Sequence, residues 1–214
     1  MMKALTLSLA LAGLCSTALA QDVKAGEKKA AMCIGCHGIA GYQASFPEVH
    51  RVPKISGQNA KYIVASLLAY QKGDRKHPTM RGISVSLTEQ DMADLAAFYE
   101  QHGRSSVAAV SQTVQQPSAD VKALLDKGAC ASCHGADFAK PVDPSYPKLA
   151  GQHADYLFVA LKSYKVQGNP HIGRNNAIMG AQVQQFKPAE LKAMAAYLGS
   201  LPGDLKTVPQ SRFR

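Results

Sequence analysis

Two five-residue segments constrain this chain more than any other feature. Cys33-Ile34-Gly35-Cys36-His37 and Cys130-Ala131-Ser132-Cys133-His134 are both C-x-x-C-H, the attachment pattern of a c-type haem. The spacing suits that chemistry because two thiols must add to the two vinyl groups on one side of a porphyrin. The histidine after the second thiol is then held beneath the iron as an axial ligand. Other readings of the cysteines fit less well. A structural zinc site pairs its C-x-x-C knuckles about 15 to 20 residues apart, whereas 93 residues separate Cys36 from Cys130. A redox-active dithiol expects a strand-helix unit beside it, and Gly and Pro follow each motif instead. Disulfides between cysteines three apart close loops too small to stabilise much. The chain is expected to carry two covalent haems, attached at Cys33, Cys36, Cys130 and Cys133, with His37 and His134 on the irons.

The fifth cysteine, Cys15, falls in a different kind of segment. Lys3 precedes an apolar stretch from Ala4 to Leu14, and Ala18-Leu19-Ala20 offers small residues ahead of Gln21. Residues 1–20 are therefore expected to be a cleaved export signal. A lipoprotein anchor on Cys15 is the rival reading, but Leu14 stands where such a motif wants Gly, Ala or Ser. An uncleaved anchor is a second rival, and the apolar stretch is shorter than the roughly 20 residues a spanning helix needs. No later segment is apolar enough to span, so no stable membrane insertion is expected after cleavage. Loss of the signal leaves 23 basic and 15 acidic residues, a net +8, with no run of five like charges. That pattern argues against a nucleic-acid partner. A chain that is 46% hydrophobic with 28 Pro and Gly residues in 214 is globular rather than disordered.

The two motifs belong to two copies of one unit. Residues 53–70 read PKISGQNAKYIVASLLAY and residues 147–164 read PKLAGQHADYLFVALKSY, with eight identities in eighteen positions at an offset of 94. Ala96-Ala97-Phe98 matches Ala195-Ala196-Tyr197 at an offset of 99. The second copy therefore has three residues fewer after its haem motif and five more before its last helix, changes of the kind loops tolerate. The small, polar segment 103–118, GRSSVAAVSQTVQQPS, reads as an extended connector. The expected layout is a first domain over 21–104, a linker over 105–117 and a second domain over 118–214.

Each unit is expected to be all-α, with about three main helices around its haem. Short helices over Val23–Met32 and Val121–Lys127 lead into the cysteines. A second helix follows Gly57 and Gly151, with Tyr62, Leu67 and Tyr70 mirrored by Tyr156, Leu161 and Tyr164 on one face. Thr88-Glu89-Gln90-Asp91 resembles a capping box at the start of the third. In the second copy Pro188 takes the first helical position, where its missing N–H costs nothing. No alternating β-branched run of useful length occurs.

The sixth iron position needs its own candidates. Met80 lies fifteen residues before Leu95 and Met179 fifteen before Met194, so the two are equivalent, and both are expected in Gly/Pro/Asn-bearing loops. Soft thioether sulfur suits an electron-transfer iron and raises its potential. His77 and His171 are the rivals, and they are not equivalent between copies. Met92 and Met194 read as core filler, and Met32 as packing at most. His50, His102 and His153 read as solvated. The carbonyls of Pro53 and Pro147 are candidate acceptors for the second ring nitrogen of His37 and His134, against the alternative that each proline only ends a loop.

Paired C-x-x-C-H motifs, each followed by P-x-x-x-G-Q, then by a methionine and by an Ala-Ala-aromatic helix, resemble the dihaem cytochrome c4 family over essentially all of the mature chain. The resemblance implies two tandem cytochrome c-type domains with facing haems and axial pairs His37 with Met80 and His134 with Met179. It further implies a periplasmic electron carrier, free or peripherally held at the membrane, with no catalytic residues. Its partners would be an upstream quinol-oxidising complex and a membrane-bound terminal oxidase. Two segments depart from the family pattern by being longer, GIAGYQASFPEVHRVPK after His37 and YKVQGNPHIGRNNAIM before Met179. A fixed electron-accepting subunit of a periplasmic dehydrogenase or sulfur-oxidising complex is the alternative. A dihaem peroxidase is a weaker one, since it needs an open iron. With four propionates ionised, the mature charge becomes about +6 with two ferric irons and about +4 with two ferrous.

Overall fold

The computed structural model describes residues 21–104 and 116–209. The expected signal over 1–20 and nearly all of the expected linker lie outside the described residues. The first half contains α1 (Val23–Lys29), α2 (Ala31–His37), a two-stranded ladder β1 (Gln43–Ala44) and β2 (His50–Arg51), α3 (Ala60–Lys72), α4 (Pro78–Ser84) and α5 (Glu89–Gln101). The second contains α6 (Ala119–Lys127), α7 (Ala131–His134), α8 (Ala154–Ser163), α9 (Ala177–Gln184) and α10 (Pro188–Ser200). Among the described residues no helix is long and apolar enough to cross a membrane.

Local sequence accounts for most helix ends. Asp22 accepts from the backbone N–H groups of Lys24 and Ala25 and starts α1. Thr88 and Asp91 close the expected capping box on α5, with Thr88 N–H to Asp91 at 3.0 Å and Asp91 N–H to Thr88 at 3.1 Å. Pro188 opens α10, and Lys187 N–H donates to Glu190 at 2.6 Å. The first helix departs from expectation: it breaks at Ala30, so Met32 lies in α2 with the cysteines, half exposed to solvent. The second copy's helix begins two residues before Val121.

Each half has its own core. Ala30, Ile63, Leu67, Met92, Leu95 and Phe98 cluster in the first, where α1 and α3 pack on α5. Leu125, Leu157, Leu191, Met194 and Leu198 cluster in the second, where α8 and α6 pack on α10. Met92 and Met194 are buried in these cores, as expected of filler.

The segments in which the halves differ help to join them. The long stretch after His37 folds as the β1–β2 ladder, pairing Gln43 with Arg51 and Ala44 with His50. Its far side braces the second half: Arg51 donates through its backbone N–H and Nε to Asp155 at 3.1 and 3.0 Å, and Glu48 pairs with Lys162 at 2.6 Å. The long stretch before Met179 crosses its counterpart antiparallel at Arg75 and Arg174. Lys76 N–H donates to the Gly173 carbonyl at 3.0 Å. The chain after α10 returns over the first half, where Lys206 N–H meets the Ser56 carbonyl at 3.0 Å.

This interface holds a titratable group. His153 stands at the N-cap position of α8 as Asn59 does at that of α3, and burial, then the Lys54 and Arg51 charges, press its imidazole down to about 4 against the opposing Asp155. A depressed histidine stabilises the fold fully above the unfolded value near 6.5, and loses that contribution as pH falls toward 4. Thermal melts of the holoprotein across pH 7 to 4 should show a decline that His153→Asn flattens. His153 is only partly buried, so solvent screening holds the difference to about 1 kcal/mol.

Candidate haem sites and the interface between them

In each half the C-x-x-C-H motif ends a short helix, α2 and α7, so that both cysteines and the histidine lie within one helical turn or two. Among the described residues the four cysteines form no disulfide. Burial pushes the Cys33 thiol up to about 11 and raises Cys130 as well. A redox-active dithiol needs the opposite shift, so these are not activated thiols.

The histidines are set for metal binding. His37 Nδ1 lies 2.9 Å from the Pro53 carbonyl, and His134 Nδ1 lies 3.0 Å from that of Pro147. A carbonyl can only accept, so Nδ1 carries the proton and Nε2 keeps its lone pair. Burial pushes both imidazoles below their ordinary value, and the carbonyl bond offsets this only in part. Gly57 and Gly151, at φ +83° and +73°, turn the chain after these prolines in a region that disfavours side chains.

The two methionines depart from the loop expectation. Met80 is the third residue of α4 and Met179 the third of α9. Each backbone N–H is capped from three residues back, Met80 by His77 Nδ1 at 3.4 Å and Met179 by Asn176 at 2.9 Å. Proline at the first position and an Asn or His before it are helix-start signals, readable in the sequence once the equivalence of His77 and Asn176 is seen. His77 thus spends a ring nitrogen as a helix cap, and His171 is exposed. Met80 and Cys33 pack on one core cluster, and Met179 and Cys130 on the other.

The expectation of solvated histidines fails. His50 is 4% exposed, donates its Nδ1–H to the Glu48 carbonyl at 2.8 Å, and has its ring 6.2 Å from that of Tyr156 and 6.5 Å from that of His77. His102 stacks on Phe98 with centroids 4.6 Å apart and bonds Ser56 at 3.0 Å. His153 is partly buried at the interface, as described above. Tyr156, His77 and Ser56 lie on other elements, which sequence spacing does not reveal.

Sequence reasoning also missed a paired cationic site. Arg75 lies over Tyr62 and Tyr70, 5.2 and 5.6 Å from their centroids, and Arg174 over Tyr156 and Tyr164 at 5.4 and 5.5 Å. Nη2 of each arginine also meets a tyrosine hydroxyl, Tyr62 at 3.2 Å and Tyr156 at 3.1 Å. Among the described residues neither guanidinium has a carboxylate within ion-pair distance. The tyrosine spacing was visible as an apolar helical face, but its arginine partners come from the stretches before Met80 and Met179, of which only the second is lengthened.

A family model for cytochrome c matches residues 23–102 and again 118–202. The chain is 31% identical to cytochrome c4 of Thiocapsa roseopersicina, over 84% of this chain and 93% of that one. It belongs to the dihaem cytochrome c4 family. It is 29% identical to the thiosulfate dehydrogenase electron acceptor of Stutzerimonas stutzeri strain A1501, over 82% of each. The structure of reduced cytochrome c4 from Pseudomonas stutzeri superposes with a TM-score of 0.60 at 27% identity, covering 86% of this chain and all of that one. Two tandem cytochrome c domains, all-α in class, therefore carry two covalent haems c at the C-x-x-C-H motifs.

The residues fit that cofactor. Two neighbouring guanidiniums with no carboxylate partner among the described residues carry a positive field; although burial opposes ionisation of Tyr62, the Arg75 and Arg174 charges pull its phenol below the ordinary value. Haem propionates are anions of the kind this cluster lacks. Arg75→Gln and Arg174→Gln should each lower the haem potentials, because the ferrous state carries one positive charge fewer and depends more on a nearby cation. The loss is on the order of 1 kcal/mol per charge; redox titration of the holoprotein measures it, and unchanged potentials would remove the arginines from this role.

Proposed function

We propose that the protein is a periplasmic one-electron carrier rather than an enzyme, with His37 and Met80 on one iron and His134 and Met179 on the other. The observation that supports this most is the matched placement in both domains. A neutral imidazole with its Nδ1–H engaged ends the attachment helix, and a capped methionine packs on the same core cluster as an attachment cysteine. The haem iron supplies the chemistry, cycling between ferric and ferrous.

The chain's own residues do the rest. Cys33, Cys36, Cys130 and Cys133 fix the haems, and the Pro53 and Pro147 carbonyls hold the histidine rings in one tautomer and orientation. Sulfur from Met80 and Met179 would favour the reduced state, and iron held by both a histidine and a methionine would leave no position for peroxide or oxygen. Arg75, Arg174, Tyr62 and Tyr156 would hold propionates. Residues 1–20 direct export, and domains over 21–104 and 118–214 flank a linker over 105–117.

The electron partners follow from charge and from the relatives. A moderately basic surface favours acidic docking patches and accelerates association in a salt-dependent way. On this reading a quinol-oxidising complex reduces the protein and a membrane-bound terminal oxidase oxidises it. The similarity to a thiosulfate dehydrogenase electron acceptor supports a second reading, in which the donor is a periplasmic sulfur-oxidising dehydrogenase.

Ferric-state near-infrared spectra test the ligands. The wild type should show a methionine-to-iron charge-transfer band of two-haem intensity, and Met80→Ala and Met179→Ala should each lose half of it. Retention of the full band in either variant would sink the assignment. Electron-transfer rates should fall with ionic strength, and salt-independent rates with the candidate oxidase would remove it as the partner.

A further inference from the structure

The peptide that holds each haem-side histidine is gripped from the opposite domain. The Pro53–Lys54 peptide offers its oxygen to His37 at 2.9 Å and its N–H to Gln152 Oε1 at 2.9 Å. The Pro147–Lys148 peptide offers its oxygen to His134 at 3.0 Å and its N–H to Gln58 Oε1 at 2.9 Å. Each glutamine then returns a bond: Gln152 Nε2 donates to the Lys54 carbonyl at 2.9 Å, and Gln58 Nε2 to the Lys148 carbonyl at 3.1 Å. Both side chains are 4% exposed. Their Oε1 atoms also accept the N–H of the next residue, Asn59 at 3.0 Å and His153 at 2.9 Å. A flipped amide would set donor against donor and acceptor against acceptor, so the orientation is fixed.

This arrangement forms a relay of hydrogen bonds through one peptide group. An acceptor on the peptide N–H draws electron density toward the peptide oxygen, which makes that oxygen a stronger acceptor for the imidazole N–H. A stronger bond at Nδ1 raises the basicity of Nε2 and fixes the ring plane. A more basic axial ligand favours ferric over ferrous iron.

We propose that Gln58 and Gln152 are crossed positioning residues, each setting the reduction potential of the haem in the other domain through the peptide that binds that haem's histidine. The proposal rests on His37 and His134 being axial ligands. It gives the P-x-x-x-G-Q repeat a role that neither domain could perform alone: the proline serves its own haem and the glutamine serves its neighbour's. Opening or tightening of the interface then changes both potentials.

Haem-resolved redox titration of the holoprotein tests this, with the paramagnetically shifted haem methyl signals reporting each site. Gln152→Leu should shift the equilibrium at the Cys33/Cys36 haem toward ferrous by about tenfold, roughly 59 mV for one electron, and move the Cys130/Cys133 haem far less. Gln58→Leu should show the reverse. Gln152→Glu and Gln58→Glu keep an acceptor and strengthen it, so each should move the same remote haem toward ferric. These variants also serve if the leucine variants fail to fold. The His37 and His134 Nδ1–H resonances should follow the same crossed pattern. Equal shifts at both haems, a shift confined to the variant's own domain, or unmoved potentials in folded protein would each overturn the proposal. A wild type without a histidine ligand signature would overturn the axial assignment on which it rests.

Discussion

A buried neutral imidazole must place its N–H on an acceptor, and most of this structure can be followed outward from that requirement. His37 and His134 meet it with the carbonyls of Pro53 and Pro147. Those carbonyls belong to peptides whose own N–H groups, on Lys54 and Lys148, are bound by glutamines of the other domain. Leaving such a group unpaired in the interior costs about 1 to 3 kcal/mol, so haem pocket and domain interface are satisfied together. The glycine turns after the prolines bring Gln58 and Gln152 to that task, and the helices α3 and α8 begin immediately beyond them.

The interface is nearly symmetric where it concerns the haems and asymmetric where it concerns adhesion. The glutamine clasps, the crossed segments at Arg75 and Arg174, and the arginine-tyrosine stacks occur in both copies. The β1–β2 ladder with its Arg51–Asp155 and Glu48–Lys162 pairs occurs once, as does the return of the C-terminal segment to Ser56. Duplication alone would have given two like surfaces. The insertions in each copy, which a sequence reading treats as tolerated loop variation, join the domains beside the repeated glutamines.

Local signals were legible wherever neighbouring residues decide the outcome. Thr88 with Asp91 starts a helix through contacts three residues apart, and Pro188 starts another by filling a position where an N–H has no helical partner. The Pro53 and Pro147 carbonyls were foreseeable because the histidine's need for an acceptor is chemical rather than topological. The break at Ala30 and the helical placement of Met80 and Met179 were less visible, since short helices depend on packing more than on propensity. His50, His102 and His153 were misread because part of what covers them comes from distant segments, as with the His50 ring against Tyr156.

The sequence by itself determined the chemistry of the two haem sites: the C-x-x-C-H spacing, the duplicated motif order and the equivalent methionines depend on residue identity and on separations along one domain. The tertiary structure alone decided how the two sites meet. It set Arg75 beside Arg174, buried His50, and closed Gln58 on Lys148 and Gln152 on Lys54. Those contacts join residues some 90 to 100 positions apart, at distances along the chain where no periodicity carries information and only packing brings donor to acceptor.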